Sequence, residues 1–417
     1  MDFASLGLAP RLLQGLSDAG LKDPSPIQAA AIPPALQGRD LMGLAETGSG
    51  KTLAFGLPLL HKLLSRGQRP APKTVRALIL APTRELARQI HDALLPFTRL
   101  SHLPIGLVTG GVGFTPQIER LARGLAVLVA TPGRLIDLMD RGSVDLSRTE
   151  ALVLDEADQM LDMGFIHALR RIAPALPRDR QTLLFSATMP ALMAELAGSY
   201  LRDPVRVEVN PPGKAVGRID QKLHFTATAA KPDVLIELLS DRRGERALVF
   251  GRTKHGADRL MKRLEGAGLS AAAIHGNKSQ GQRDRAVGAF KAGEIDVLVA
   301  TDVAARGLDI PGVALVVNYE MPNVPETYVH RIGRTARAGA EGEAVALVAP
   351  DEMGYLKDVE KAMGSRIPVA SGAPWTPVAP APRGGARPQG RPQAQPRRHA
   401  AQPPKRGGKP AHRGQGR

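Results

Sequence analysis

The sequence predicts two tandem α/β domains, each a doubly wound parallel sheet, followed by a disordered basic tail. Three observations carry that expectation. Short apolar runs alternate with amphipathic stretches up to about residue 368. One set of these runs repeats another at a constant spacing. The residues that follow lose both their acidic and their apolar character.

The first series of strands is expected at Asp40–Leu44, Ala77–Ala81, Ile105–Thr109, Ala126–Ala130, Ala151–Leu154 and Thr182–Phe185. A second follows at Ala247–Phe250, Ala271–Ile274, Asp296–Ala300, Ala314–Asn318 and Glu343–Val348. Apolar runs bounded by Gly, Pro and polar residues suit parallel strands covered by helices on both faces. Val127-Leu128-Val129-Ala130-Thr131 recurs as Val297-Leu298-Val299-Ala300-Thr301, 170 residues on. Ala77–Thr83 resembles Ala247–Thr253 at the same spacing, and the apolar positions Ala87, Ile90 and Leu94 match Ala257, Leu260 and Leu264. One shared register over strands and helix reads as duplication. The stretch from Asn210 to Gly217 has linker composition. The expected boundaries are a first domain at 1–208, a linker at 209–216, a second domain at 217–368 and a tail at 369–417.

The formal net charge is +16, with 56 basic and 40 acidic residues. No acid follows Glu360, and ten basic residues lie between Ala381 and Arg417 among Pro, Gly, Gln and Ala. Such a segment cannot bury enough apolar area to fold. Clustered arginine with no neutralising acid reads as a polyanion-binding arm. There is no cysteine, so disulfides and thiol chemistry are excluded. The N-terminus lacks the basic and apolar regions of a signal peptide, and no run of apolar residues is long enough to span a membrane. A soluble, cytoplasmic protein without membrane association is the expectation.

The strongest local signal is Ala45-Glu46-Thr47-Gly48-Ser49-Gly50-Lys51-Thr52, after one expected strand and before a helix. Glycines there let backbone N–H groups close around phosphate oxygens, Lys51 reaches the terminal phosphates, and Thr52 can hold Mg²⁺. Pro58 is expected to kink the helix that follows. A Mg²⁺-dependent phosphate site also needs carboxylates at a strand end. Leu154-Asp155-Glu156-Ala157-Asp158 supplies them: Asp155 for the metal, Glu156 to orient and deprotonate water. Hydrolysis further needs positive charge against the transferred phosphoryl group. Arg334 and Arg337, one helical turn apart in the second domain, can supply it across a closed cleft.

Together these segments resemble the DEAD-box RNA helicases. Asp155-Glu156-Ala157-Asp158 spells the family's name, and Gly20–Gln28, with Phe3 upstream, resembles its Q motif. Pro82–Leu86, Gly110-Gly111, Thr131–Arg134, Ser186-Ala187-Thr188, Gln280–Arg283, Thr301–Asp309 and His330–Arg337 resemble its other motifs in order. Ala273–Gln280 and Asn318–Pro325 further resemble the bacterial RhlE-type group. The resemblance implies two RecA-like domains, ATP and Mg²⁺ as cofactors, and RNA duplexes remodelled with little sequence specificity. It implies that Gln28 holds the adenine edge, Asp309 the ribose, and His330 the first-domain site. Ser186 and Thr188, with Asp158, would couple hydrolysis to strand separation. Arg84, Gly111, Thr131, Arg134, Arg283 and Thr301 would line the RNA track. Leu21 stands where the family usually has an aromatic on the adenine face, and Ala336 where many relatives have Gly, a mild change. Ribosomal particles and the RNA-degradation machinery are both open as partners.

Overall fold

The computed structural model describes residues 2–45, 48–67, 69–189, 191–209, 219–305, 310, 312–336 and 341–375. In the first domain, β1 (Leu41–Leu44), β2 (Val75–Leu80), β3 (Ile105–Val108), β4 (Leu125–Ala130), β5 (Ala151–Leu154), β6 (Gln181–Ser186) and β7 (Val205–Glu208) form one sheet. Its order is β3-β4-β2-β5-β6-β1-β7. The second domain holds β8 (Ile219–Phe225), β9 (Ala247–Gly251), β10 (Ala271–Ile274), β11 (Val297–Thr301), β12 (Leu315–Asn318), β13 (Gly342–Val348) and β14 (Val369–Ser371). Their order is β10-β11-β9-β12-β13-β8-β14, the first sheet's order carried over strand for strand. All the pairings are parallel.

The helices of the first domain are α1 (Pro10–Asp18), α2 (Pro26–Leu36), α3 (Lys51–Arg66), α4 (Arg84–Leu100), α5 (Phe114–Ala122), α6 (Pro132–Asp140), α7 (Ala157–Asp162), α8 (Ile166–Ile172) and α9 (Ala191–Tyr200). Those of the second are α10 (Lys231–Ser240), α11 (Lys254–Gly266), α12 (Gln280–Ala292), α13 (Asp302–Ala305), α14 (Pro325–Ile332) and α15 (Met353–Met363). Each sheet is packed on both faces, so its central strands are apolar throughout. In β2, Ala77 and Ile79 join the core on one face while Leu78 and Leu80 join the other. Helices α4 and α11 start alike: the Thr83 hydroxyl accepts from Leu86 N at 3.2 Å and Thr253 from Gly256 N at 3.0 Å. These caps lie at the spacing of the duplication.

Three strands depart from the sequence expectation. β7, β8 and β14 lie outside the apolar-run pattern: β7 and β14 are edge strands that leave most of their residues at least partly exposed, and β8, between β13 and β14, mixes buried apolar with more exposed polar positions. β14 pairs with β8, so the second sheet extends past residue 368, and Trp375 Nε1 donates to the Val348 carbonyl at 3.4 Å. Pro58 sits inside α3 without ending it. The linker from residue 210 and the tail beyond Trp375 lie outside the described residues. Among the described residues no helix is long and apolar enough to cross a membrane. Because all strands of a sheet run the same way, their C-terminal ends share one edge, where doubly wound folds place their ligands.

Candidate active site and nucleic-acid interface

Between β1 and α3 the chain turns through Gly48 (φ +88°) and Gly50 (φ +96°), left-handed conformations that favour glycine. Lys51 opens α3, is 5% exposed, and donates to the Ala45 carbonyl at 3.1 Å; Thr52 follows, half-buried. The Q segment is tied to this loop. Ser25 Oγ donates to the Ser49 carbonyl at 2.8 Å, and Gln28 Nε2 donates to the Gly50 carbonyl at 3.0 Å. Gln28 Oε1 accepts from Ser25 N at 2.8 Å. An amide has two donor hydrogens and two lone pairs, so Gln28 retains one of each beyond these two bonds. A side chain on Gly50 would collide with Gln28 and Ser25. Leu21 stands nearby in sequence and is 40% exposed.

At the end of β5, Asp155 is buried and accepts from Glu156 N at 3.0 Å. Burial pushes its carboxyl up to about 7 against the pull of Lys51, with Glu156 and Asp158 adding to the rise. A divalent cation beside it would supply the missing positive charge. Thr52 and Asp155 offer oxygen donors of the kind Mg²⁺ takes alongside substrate phosphates. Glu156 lies at φ +49°, ψ 53°, the left-handed region for a residue with a Cβ. Such strain costs about 1–3 kcal/mol and clusters at functional sites. Asp158 Oδ2 accepts from Ala187 N (3.1 Å), Thr188 N (2.9 Å) and Thr188 Oγ1 (3.0 Å), while Ser186 Oγ donates to the Thr188 carbonyl at 2.7 Å. The acid cluster and the Ser186–Thr188 segment are thus one hydrogen-bonded unit.

The first-domain residues expected on an RNA track follow β2, β3 and β4. Arg84 opens α4 and lies across Gly110 and Gly111, where a Cβ on Gly111 would strike its guanidinium. Thr131 is buried at the start of α6. Arg134 donates to the Val112 carbonyl at 2.7 Å, and its guanidinium sits 4.0 Å from the Phe114 ring, as does that of Arg141. Gln117, 6% exposed, binds the same loop. Its Oε1 accepts from Thr109 N, and its Nε2 donates to the carbonyls of Thr109, Val112 and Gly113. In the second domain Thr301 ends β11, buried. Arg283 on α12 donates to the Ala304 carbonyl at 3.3 Å and pairs with Glu85 at 3.0 Å. Glu85 also accepts from Gln280 at 3.1 Å, so a first-domain carboxylate receives two second-domain side chains.

His330 is half-buried near the end of α14 and Arg334 is buried just past it. Both line a small cleft with Asp302 and Arg331. Arg331 is held from several sides. It meets both Asp302 oxygens at 2.6 and 2.9 Å, Asn318 Oδ1 at 2.9 Å and the Glu320 carbonyl at 2.7 Å. Sequence reasoning assigned roles to neither Arg331, Glu85 nor Gln117. An acid immediately after β11 was the available hint for Arg331 alone. Glu46, Thr47, Asp309 and Arg337 lie outside the described residues.

Sheet order therefore sorts the site. The residues expected at the nucleotide follow β5 and β1, those expected to couple follow β6, and those expected on an RNA track follow β3, β4 and β2, on two halves of one edge. Two sheets of identical topology, of which the first carries a glycine phosphate loop, form the architecture of a two-domain P-loop ATPase. The family model described as DEAD/DEAH box helicase matches residues 25–196, and that of the helicase conserved C-terminal domain matches residues 230–339. The ATP-dependent RNA helicase CshA of Listeria monocytogenes is 43% identical over 373 residues, 89% of this chain and 71% of its own. CshA of Streptococcus pneumoniae is 44% identical over 367 residues, 88% and 69%. Saccharomyces cerevisiae Dbp5 bound to RNA and ADP BeF3 superposes with a TM-score of 0.78 at 33% identity, covering 88% of this chain and 95% of that one. Mss116p bound to ssRNA and AMP-PNP gives 0.79 at 28% identity, covering 89% and 78%. The chain belongs to the DEAD-box family of ATP-dependent RNA helicases.

Proposed function

We propose that this helicase hydrolyses ATP on the first-domain edge and uses closure of the second domain to separate RNA strands locally. The observation that carries the reading is the sorting of nucleotide and RNA-track residues onto two halves of one sheet edge. Lys51 and the loop N–H groups bind phosphate, Gln28 the adenine edge, and Asp309 the ribose. Thr52 and Asp155 hold Mg²⁺, which neutralises phosphate charge when bound. Glu156 orients and deprotonates the attacking water, a role supported by its strained backbone beside the buried Asp155. Arg334 and Arg337 meet the charge that develops on the transferred phosphoryl group, and His330 contacts the same site. The Asp158–Thr188 bonds support coupling, since they join the acid cluster to Ser186 and Thr188.

Arg84, Gly111, Thr131, Arg134, Arg283 and Thr301 form the RNA track, reading backbone rather than bases. The bonds of Arg134 to Val112 and of Arg283 to Glu85 support an indirect share for these two: they shape the track that Arg84 and Gly111 face. We further propose a cytoplasmic protein acting on ribosomal particles or the RNA-degradation machinery, assemblies rich in structured RNA. An RhlE-type affiliation rests on Ala273–Gln280 and Asn318–Pro325, whereas the curated relatives above carry the name CshA.

The test is Glu156→Gln. It should keep ATP and RNA affinity while turnover falls about 10²–10⁴-fold, the usual worth of a general base. Turnover at the parental rate would remove Glu156 from the chemistry.

A further inference from the structure

A lysine stands in the second domain at the place that Lys51 takes in the first. β8 occupies the place in its sheet that β1 occupies in the first, and β12 the place of β5. The helix after β1 opens on Lys51 and the helix after β8 opens on Lys231. The two residues after β5 are Asp155-Glu156, and those after β12 are Tyr319-Glu320. Beside Lys231 lies a cavity of about 320 Å³ whose walls include Arg252, Arg259, Tyr319, Glu320 and Glu352.

What fills the lysine's coordination differs. Lys231 is 2% exposed, donates to the Tyr319 carbonyl at 2.8 Å, and makes a short ion pair with Glu352, itself 1% exposed. The carboxylate of Glu352 accepts from two backbone N–H groups as well, Ala349 and Met321, each at 3.1 Å. Arg252 stands 3.7 Å away. A buried ammonium at a helix start, backbone N–H donors and an arginine around one oxyanion is the donor set of a phosphate site. The rest of the phosphate apparatus is missing. The loop 226–230 contains no glycine, and Pro232 stands where Thr52 follows Lys51. The loop has no counterpart of the turns at Gly48 and Gly50, and Pro232 has no hydroxyl to offer a metal.

We propose that the second domain carries a self-occupied oxyanion site, in which the Glu352 carboxylate holds Lys231 in place of a phosphate. The carboxylate fills the place that a small oxyanion would take beside Lys231. It also fastens the segments after β8, β12 and β13 to one another, directly behind the turn that leads into α14.

The test uses the full chain in a Lys51→Ala background, which silences the first-domain phosphate site. Thermal midpoints are titrated with inorganic phosphate against chloride at equal ionic strength. Lys51→Ala alone should show no saturable phosphate response. Adding Glu352→Ala should lower the midpoint in chloride and create a saturable upward shift with phosphate. Adding Lys231→Met to that pair should abolish the shift. Should the Glu352→Ala protein fail to fold in chloride, the folded fraction recovered by phosphate, followed by circular dichroism, gives the same reading. A phosphate response in Glu352→Ala no larger than in its parent, or one that survives Lys231→Met, overturns the proposal. So does a saturable, Lys231-dependent response while Glu352 is intact, because the site would then be open.

Discussion

Leu21 presents apolar surface in the segment that leads to Gln28, and the resemblance sets it against the face of the adenine ring. Leucine packs against a base but cannot stack on it. Aromatic pairs gain about 0.5–1.5 kcal/mol beyond burial, a few-fold to tenfold in affinity. Leu21→Phe should tighten ATP binding by that factor in a nucleotide titration, with maximal turnover unchanged because the contact is uniform between ground and transition states. Equal or weaker binding would show a pocket adapted to leucine. Ala336 carries more consequence than its size suggests. Its φ of +54° lies in the left-handed region, so the exchange that the resemblance implies is not mild. That conformation costs a residue with a Cβ about 1–2 kcal/mol, of which the added chain entropy of glycine returns about 0.4–1. Ala336→Gly should therefore stabilise the protein by about 0.5–1 kcal/mol in a denaturant titration. A lower midpoint would mean that the Ala336 methyl group packs productively against its surroundings in the second-domain core.

Among the elements, the loop between β3 and α5 depends most on a single side chain. Gln117 satisfies Thr109 through both its amide atoms and gathers two further carbonyls. Gln117→Ala should loosen the loop that holds Gly111 against Arg84 while leaving the phosphate loop untouched. Expected are a several-fold higher RNA concentration for half-maximal ATPase, an unchanged maximal rate, and a stability loss of about 1–3 kcal/mol for the groups left unpaired. Unaltered RNA dependence would refute a positioning role. The same loop explains what was legible beforehand. β2, β4 and β5 were readable because burial on both faces forces apolar runs, and the phosphate loop because its glycines serve conformations that few other residues adopt. Gln117 was not, since a glutamine in an amphipathic helix reads as surface until the fold turns it inward. Glu85 was equally silent. An acid in the first turn of a helix is commonplace, favourable to the helix dipole and informative about nothing else. β7 escaped because an edge strand leaves most of its residues at least partly exposed, and β8 because polar residues stand between its buried apolar ones.

For the whole molecule, charge is unevenly spread. The stretch from Ala381 to Arg417 holds ten basic residues and no acid, and should tether RNA by counterion release. Each phosphate contact it makes contributes a slope of about −0.7 to a log–log plot of affinity against salt for single strands. Deleting residues 381–417 should flatten that plot and weaken binding at low salt, with RNA-saturated turnover nearly unchanged; an identical slope would assign the tail another task. The globular part holds a different kind of economy. Arg84 and Glu85 are consecutive residues in the first turn of α4. The arginine lies over the Gly110-Gly111 loop, and the carboxylate receives Gln280 and Arg283 of the other domain. The loop proposed to meet RNA and the second domain thus both bear on one helical turn. The first turn of α4 is therefore a junction, where two adjacent side chains tie a loop of one domain to a helix of the other.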